Sequence, residues 1–481
     1  MTTFQARAVI GASIATLLLA QLDTNIVTTA APSIAGSFGG SALGRVPWLV
    51  TAYALAETVA QPLYGKLADR HGPRAPLLGA LLLFLLGSLA CASAWSMTSL
   101  VLLRVIQGLG AAGLLTVTFV LLGQVRAEGE HDGGAAGNAV AGVMLALGLV
   151  AGPILGGTVV EHVSWRWVFL LNVPIVVVVL VVTATCLRVR TAHSATPIDW
   201  VAASLLATTA ISLQLLCLRL DDGLHQTSPW ALGALGVLTV ASLGAFGRRQ
   251  KVSSTPYFPP ELLSDQTLRR LTALQLATGV GLAAATVYVA LELQLVDHQS
   301  PLHAAFLTLP MAGGVLVGAA TGALLLAAHK PLRLSFVLAN LLAAAALGLL
   351  AWTTGQHSIP VVWIALLLLG VGVGTSLGNE ILAVQGAVDI KLLGTATAGV
   401  RFVETVGTSV GSTVFAIAFA QIAFAHATAG AGQHDLVLAI RLIFLFGSAA
   451  MIVATLVATR LPPVISVAPR ASELPALGSA R

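Results

Sequence analysis

Apolar runs of roughly 20 residues follow one another from Ala8 almost to the C-terminus, each the length a helix needs to cross ~30 Å of hydrocarbon. Lipid offers no hydrogen bonds, so a spanning segment satisfies its backbone as a helix or inside a closed barrel. These runs are continuous rather than alternating, which excludes a barrel. Only 9% of the residues are charged and 57% are apolar, whereas a soluble domain carries about 25% charged residues. Too little polar surface remains to cover a water-exposed globule. The sequence predicts an all-α polytopic membrane protein.

Fourteen spans are expected, over residues 8–31, 46–66, 75–94, 98–122, 136–160, 166–187, 198–219, 229–247, 268–293, 303–328, 332–353, 359–384, 394–424 and 436–461. The first has no clear cleavage site and more spans follow it, so it reads as a span rather than a removed signal peptide. With the N-terminus in the cytoplasm, eighteen of the 24 Lys and Arg residues fall inside. Arg45, Arg166 and Arg219 fall outside, and Arg104, Arg401 and Arg441 lie within spans. This asymmetry is the positive-inside pattern and puts both termini in the cytoplasm. It also accounts for the net charge of +5 without a nucleic-acid partner. Trp48, Trp95, Trp165, Trp167, Trp230, Trp352 and Trp363 sit near outer span ends and Trp200 at an inner one, as interfacial anchors do.

A polar stretch from Arg248 to Arg270, with Pro256, Pro259 and Pro260, reads as a cytoplasmic linker with room for a short surface helix. The expected organisation is a six-helix bundle over 1–190, two inserted helices over 191–247, a linker over 248–267, a second six-helix bundle over 268–461 and a cytoplasmic tail over 462–481. A short echo supports a repeat. Leu22-Asp23 precedes Pro32 as Leu291-Glu292 precedes Pro301, and paired bundles are a known transporter architecture. Cys91, Cys186 and Cys217 have neither metal nor disulfide spacing, and no phosphate-binding lysine follows Gly108-Leu-Gly110. No cofactor, metal or ATP use is expected.

Four segments carry a family resemblance. Gly65-Lys-Leu-Ala-Asp69-Arg70-His-Gly72-Pro-Arg74 resembles the signature loop of the major facilitator superfamily. Leu103-Arg104-Val-Ile-Gln107-Gly108-Leu-Gly110 resembles its buried-arginine motif. Gly148-Leu-Val-Ala-Gly152-Pro153-Ile-Leu-Gly156-Gly157 resembles its antiporter motif. Leu22-Asp23-Thr-Asn-Ile-Val-Thr-Thr-Ala-Ala-Pro32, with Trp165-Arg-Trp-Val-Phe-Leu-Leu-Asn172-Val-Pro174, is similar to the fourteen-span drug:proton antiporters. The resemblance implies a monomeric proton-coupled exporter of small amphipathic compounds in the cell (inner) membrane, surrounded by lipid. Pro73 replaces a usually basic position, and Glu292, Glu380, Arg401 and Glu404 also depart from the pattern. Other readings on the same fold are an exporter or flippase of one defined lipid or natural product, a channel, or a transport-dead sensor.

A charge inside a span costs about 3 kcal/mol or more and so needs a partner or a task. Asp23 and Arg104 come to similar depth on oppositely running spans, as a proton carrier with its regulator or as a static ion pair. Glu57 lies near mid-span, where it lines a cavity or makes a structural hydrogen bond. Glu292 sits close to an outer interface, within reach of headgroups, and Glu380 near an inner span end. Arg401 and Glu404, three residues apart, share a helix face and form an ion pair. Gly148, Gly152 and Gly156 leave a groove for close helix contact, and Pro153 bends the helix. Gly65, Asp69, Arg70, Gly72 and Arg74 form a gating loop between states or a topology signal. Reporter fusions test the sidedness: Ala192 and Thr255 should read cytoplasmic and Gly430 external, and an external signal at Thr255 would remove the two-helix insertion.

Overall fold

The computed structural model describes residues 3–38, 46–127, 144, 147–148, 151–152, 154–187, 197–221, 228–297, 299, 306–328, 330–356, 358–376, 379–423 and 433–462. Pro153 and the tail beyond residue 462 lie outside the described residues. Every regular element among those residues is helical. The first half contains α1 (Thr3–Ser37), α2 (Val46–His71), α3 (Arg74–Ala92), α4 (Met97–Ala127), helical residues 154–162 of the fifth span, α5 (Arg166–Leu170) and α6 (Asn172–Cys186). Next come α7 (Trp200–Asp221), α8 (Pro229–Val252) and the five-residue α9 (Pro260–Ser264). The second half has α10 (Gln266–Leu291), a π-helical turn (Glu292–Val296), α11 (Leu309–Ala327), α12 (Leu332–Thr353), α13 (Ile359–Ser376), α14 (Asn379–Ala387), α15 (Leu393–Ala423) and α16 (Gln433–Thr459).

Eleven helices among the described residues are long and apolar enough to cross a membrane. α2 and α10 are 26 residues each, and α2 carries Glu57, Lys66, Asp69 and Arg70 along its length. The fifth span is only partly described. Most tryptophans are exposed, as anchors must be, whereas Trp165 is buried against Phe38 and Phe169.

Small residues set how closely helices approach. A Cβ on Gly314, Gly318 or Gly322 of α11 would collide with the α13 backbone near Leu367, Val371 or Thr375, so the glycines put the two helices in direct backbone contact. The apolar cores divide unevenly along the membrane normal. One core draws on both halves and includes Val9, Ala68, Leu121, Leu271, Leu382 and Leu393. Two others belong to one half each, around Ile34 and Phe169 and around Tyr288 and Phe444. Away from the shared core, α1 exposes Thr28, Thr29, Ser33 and Ser37, side chains suited to water rather than lipid. The halves therefore join at the end carrying the α2–α3 loop and keep separate cores at the other.

The segment 253–259 packs against α7, α8 and α15. α8 runs on to Val252, into the segment expected to be linker, and the short helix expected there is α9. Tyr257 is buried with Ala202 and Leu206, and Phe246, Phe258 and Phe402 pack beside them. Asp199, just before α7, accepts hydrogen bonds from Ala202 N (3.0 Å), Arg249 Nε (2.8 Å) and Ser253 Oγ (2.9 Å). The Arg249 hydrogen bond above all pulls the Asp199 carboxyl down to about 2 from 3.8. A depressed carboxyl adds stability only above its unfolded pKa. This contribution should be complete at neutral pH and disappear as pH falls from about 4 through about 2. Asp199→Asn should expose the 253–259 strap to limited proteolysis at pH 7 and leave its acid sensitivity flat; unchanged cleavage would show that the strap is held elsewhere.

Candidate functional site

Asp23 on α1 and Arg104 on α4 meet inside the first half. Neither reaches solvent, and Arg104 Nη1 lies 2.7 Å from Asp23 Oδ2. The other carboxylate oxygen accepts from Gln107 Nε2 at 2.9 Å and Asn172 Nδ2 at 2.6 Å. Gln107 is one turn beyond Arg104, so both reach the same carboxylate, and it also accepts from Arg104 (2.8 Å) and donates to Ser88 Oγ (2.8 Å). The guanidinium lies 3.8 Å from the centre of the Tyr53 ring, which gives the cation a π face in place of water. Five helices thus converge on one carboxylate. Breaking a buried pair of this kind by removing one partner costs about 3–5 kcal/mol. Protonating Asp23 would remove the ion pair without removing a side chain.

The fifth-span glycines pack on the turn of α1 that carries Asp23. A Cβ at Gly148 would stand 2.7 Å from the Gln21 Cβ, one at Gly152 would strike the Asn25 Cβ, and one at Gly156 would stand 2.8 Å from the Ile26 carbonyl. Steps of four along the fifth span meet Gln21, Asn25 and then Ile26 with Thr29 on α1, which keeps the contact in register. Gly157, grouped with them in the sequence, has open space where a Cβ would go.

A second charged cluster gathers around Arg401 on α15. Its Nη1 lies 3.1 Å from Glu404 Oε2, the pairing expected from their spacing. Glu380 and, from the other half, Glu57 lie within its electrostatic reach. Glu380 is not poised at a water-facing end, for it is buried and accepts from Gln275. Gln61 donates to Glu57 at 3.4 Å. Three carboxyls around one guanidinium favour an added positive charge, either protons or a cationic compound.

Glu292 joins neither cluster and does not reach headgroups. It is 1% exposed at the start of the π-helical turn beside the Thr354 side chain, with Oε2 lacking a hydrogen-bond partner among the described residues. Arg441 donates to the Thr354 carbonyl just past the end of α12 at 3.0 Å.

At the shared end, Asp69 does not pair with the arginines beside it in sequence. It accepts from Gly394 N (2.7 Å), Thr395 N (2.8 Å) and Thr395 Oγ1 (2.6 Å), placing a carboxylate against the N-terminal dipole of α15. Gly65 and Gly394 make this approach possible, since a Cβ on either would strike the other's carbonyl. Gln385 adds a bond to the Phe119 carbonyl across the halves at 2.8 Å. Gly72 turns the chain with φ +75. Arg74 donates to the Ala184 carbonyl at 2.7 Å within the first half, and Arg70 is half-buried at the end of α2.

Gln107 and Asn172 lie within the motifs that carry the resemblance, whereas Tyr53, Ser88, Gln275 and Gln385 lie outside them. Their signal was polarity inside an apolar helix, the same criterion that singled out the charges.

Paired charges buried among many apolar helices, with a polar lock between two halves, are the marks of a multi-pass membrane transporter rather than an enzyme. The chain matches the Major Facilitator Superfamily over residues 14–412 and belongs to that family. An uncharacterised transporter of this type from Mycobacterium tuberculosis is 29% identical over 407 residues, covering 84% of this chain and 58% of the relative, so the chain spans little more than half of that protein. Multidrug resistance protein 3 of Bacillus subtilis is 26% identical, covering 83% and 77%. The efflux pump FUS6 of Gibberella fujikuroi is 28% identical, covering 84% and 73%. The human organic anion transporter MFSD10 has the same fold, with TM-score 0.67 at 16% identity, covering 94% of this chain and 99% of that one. The proton:xylose symporter XylE does too, with TM-score 0.64 at 12% identity, covering 96% and 97%.

The glycine contacts make a direct test. Gly152→Leu should abolish transport while leaving membrane insertion intact, whereas Gly157→Ala should be tolerated, as measured by substrate uptake into inverted vesicles with immunoblotted protein. Normal transport in Gly152→Leu would reduce the fifth-span contact to generic packing.

Proposed function

We propose that this chain is a fourteen-span, proton-coupled antiporter that exports small amphipathic or cationic compounds by alternating access. The carrying observation is the Asp23 site: a carboxylate with no solvent exposure, held by one guanidinium and two amides. Two six-helix bundles, 1–190 and 268–461, rock about the inserted pair 191–247 and the linker 248–267. The tail 462–481 and the N-terminus are cytoplasmic, and the protein works as a monomer in the cell membrane.

In this reading the structure is closed on the cytoplasmic side through Asp69, Gly65 and Gly394 and open on the external side. A proton arriving from outside neutralises Asp23 and releases Arg104. The α1 contacts with α4 and the fifth span then readjust, and the Asp69 lock opens. The cluster of Glu57, Glu380, Arg401 and Glu404 faces the substrate path from both halves. Its surplus of carboxyls supports a preference for cations or a second proton position. The efflux and multidrug names of several relatives support export as the direction.

Asp23→Asn keeps size and hydrogen bonding but removes the titratable proton. In proteoliposomes it should still exchange substrate down its own gradient and fail to concentrate it under a pH gradient alone. Arg104→Lys should be impaired through loss of the planar fork, and Arg104→Ala more so. Glu292→Gln should retain proton-driven transport. Proton-driven transport that survives in Asp23→Asn and vanishes in Glu292→Gln would move coupling to the second half.

A further inference from the structure

On the membrane face that carries the α2–α3 loop, α10 begins beside the point where α16 ends. Between them is a hollow of about 470 Å³ lined by Gln266, Arg269, Arg270, Ala273, Val457 and Arg460. We propose that this hollow binds the headgroup of an anionic phospholipid from the surrounding leaflet, with the acyl chains lying in an apolar track above it.

Three guanidiniums, two from the start of α10 and one just past the end of α16, line one opening. Arg270 donates to the carbonyl of Arg460, which joins the start of α10 to the end of α16 and fixes the width of the mouth. Arg269 and Arg460 are exposed, and among the described residues neither has a carboxylate within salt-bridge distance. The acid nearest in sequence, Asp265, caps α10 by accepting from Leu268 N at 2.9 Å. Fixed positive charge at the cytoplasm-type end of a helix pair attracts anionic headgroups at about 1 kcal/mol per arginine, or about fivefold in affinity.

The second observation is what lies above the arginines. Arg269, Ala273 and Leu276 stand on successive turns of one α10 face, and Val453 and Leu456 on α16 lead toward Arg460 just past its end. Leu276 is 43% exposed, Val453 52% and Leu456 57%, so the track is open to lipid. Ala273 has no bulk, which leaves the hollow beneath it. From Arg269 to Leu276 the helix rises about 10 Å, the step from a phosphate to the upper part of an acyl chain. A soluble phosphate would use the arginines and ignore the track. A zwitterionic lipid would use the track and gain little from the arginines. A phospholipid of net negative charge uses both.

The test is native mass spectrometry of the purified full chain titrated with phosphatidylglycerol, phosphatidylcholine or inorganic phosphate. Phosphatidylglycerol should bind about thirtyfold or more tightly than phosphatidylcholine. Arg269→Gln and Arg460→Gln should each weaken phosphatidylglycerol about fivefold and together about thirtyfold, with phosphatidylcholine unchanged as the control for folding. Ala273→Phe should fill the hollow and weaken phosphatidylglycerol with every arginine in place. Arg333→Gln, on the same face at the start of α12, should have no effect. Equal binding of the two lipids, full retention of phosphatidylglycerol in the double variant, or an equal loss in Arg333→Gln would overturn the site. Displacement of phosphatidylglycerol by equimolar inorganic phosphate, with Ala273→Phe silent, would overturn the lipid in favour of a soluble anion.

Discussion

A carboxylate and a guanidinium persist inside an apolar bundle only while each satisfies the other, and the first half is arranged around that requirement. Asp23 draws α1 to α4 through Arg104, to α6 through Asn172, and to α3 through Gln107 and Ser88. Tyr53 brings α2 against the free face of the guanidinium. The same group holds the five helices together and is the one whose protonation would loosen them. In the proposed mechanism, stability and switching therefore draw on a single interaction.

Such a switch transmits motion only if the helices around it touch without intervening bulk. Glycine supplies that contact at the helix crossings beside Asp23 and Asp69. Gly148, Gly152 and Gly156 seat the fifth span on the Asp23 turn, and Gly65 with Gly394 lets α2 meet α15. Asp69 turns the second contact into a lock, since a carboxylate bonded to two backbone N–H groups and a hydroxyl has a defined made state. The lock crosses the two halves, whereas the Asp23 network lies within one. Coupling the two would require α1 and the bundle around it to move as a body, which close packing favours over local bending.

Charge in the second half is organised differently. Arg401 stands among Glu404, Glu380 and Glu57, so the cluster carries more acid than base. Glu292 remains apart, buried with one oxygen that has no hydrogen-bond partner among the described residues. The echo between Asp23 and Glu292 in sequence thus has no counterpart in their surroundings. One is fully bonded and the other is not.

The sequence by itself determined that the chain lies in a membrane, where most of its helices fall, and which side chains are too costly to be idle there. Those conclusions follow from hydropathy and helix length, which are local. The meeting of Asp23 with Arg104 was legible for the same reason: two opposite charges at one depth in hydrocarbon have to find each other. The Arg401–Glu404 pair was legible from a spacing of three. Only the tertiary structure decided that Asp69 binds the start of α15 rather than its neighbouring arginines, that Glu292 is buried rather than at the headgroups, and that Glu57 faces Arg401 across the halves. A periodic apolar pattern says that a face is covered, but lipid and a neighbouring helix are equally apolar. Which of them covers it depends on contacts between residues hundreds of positions apart.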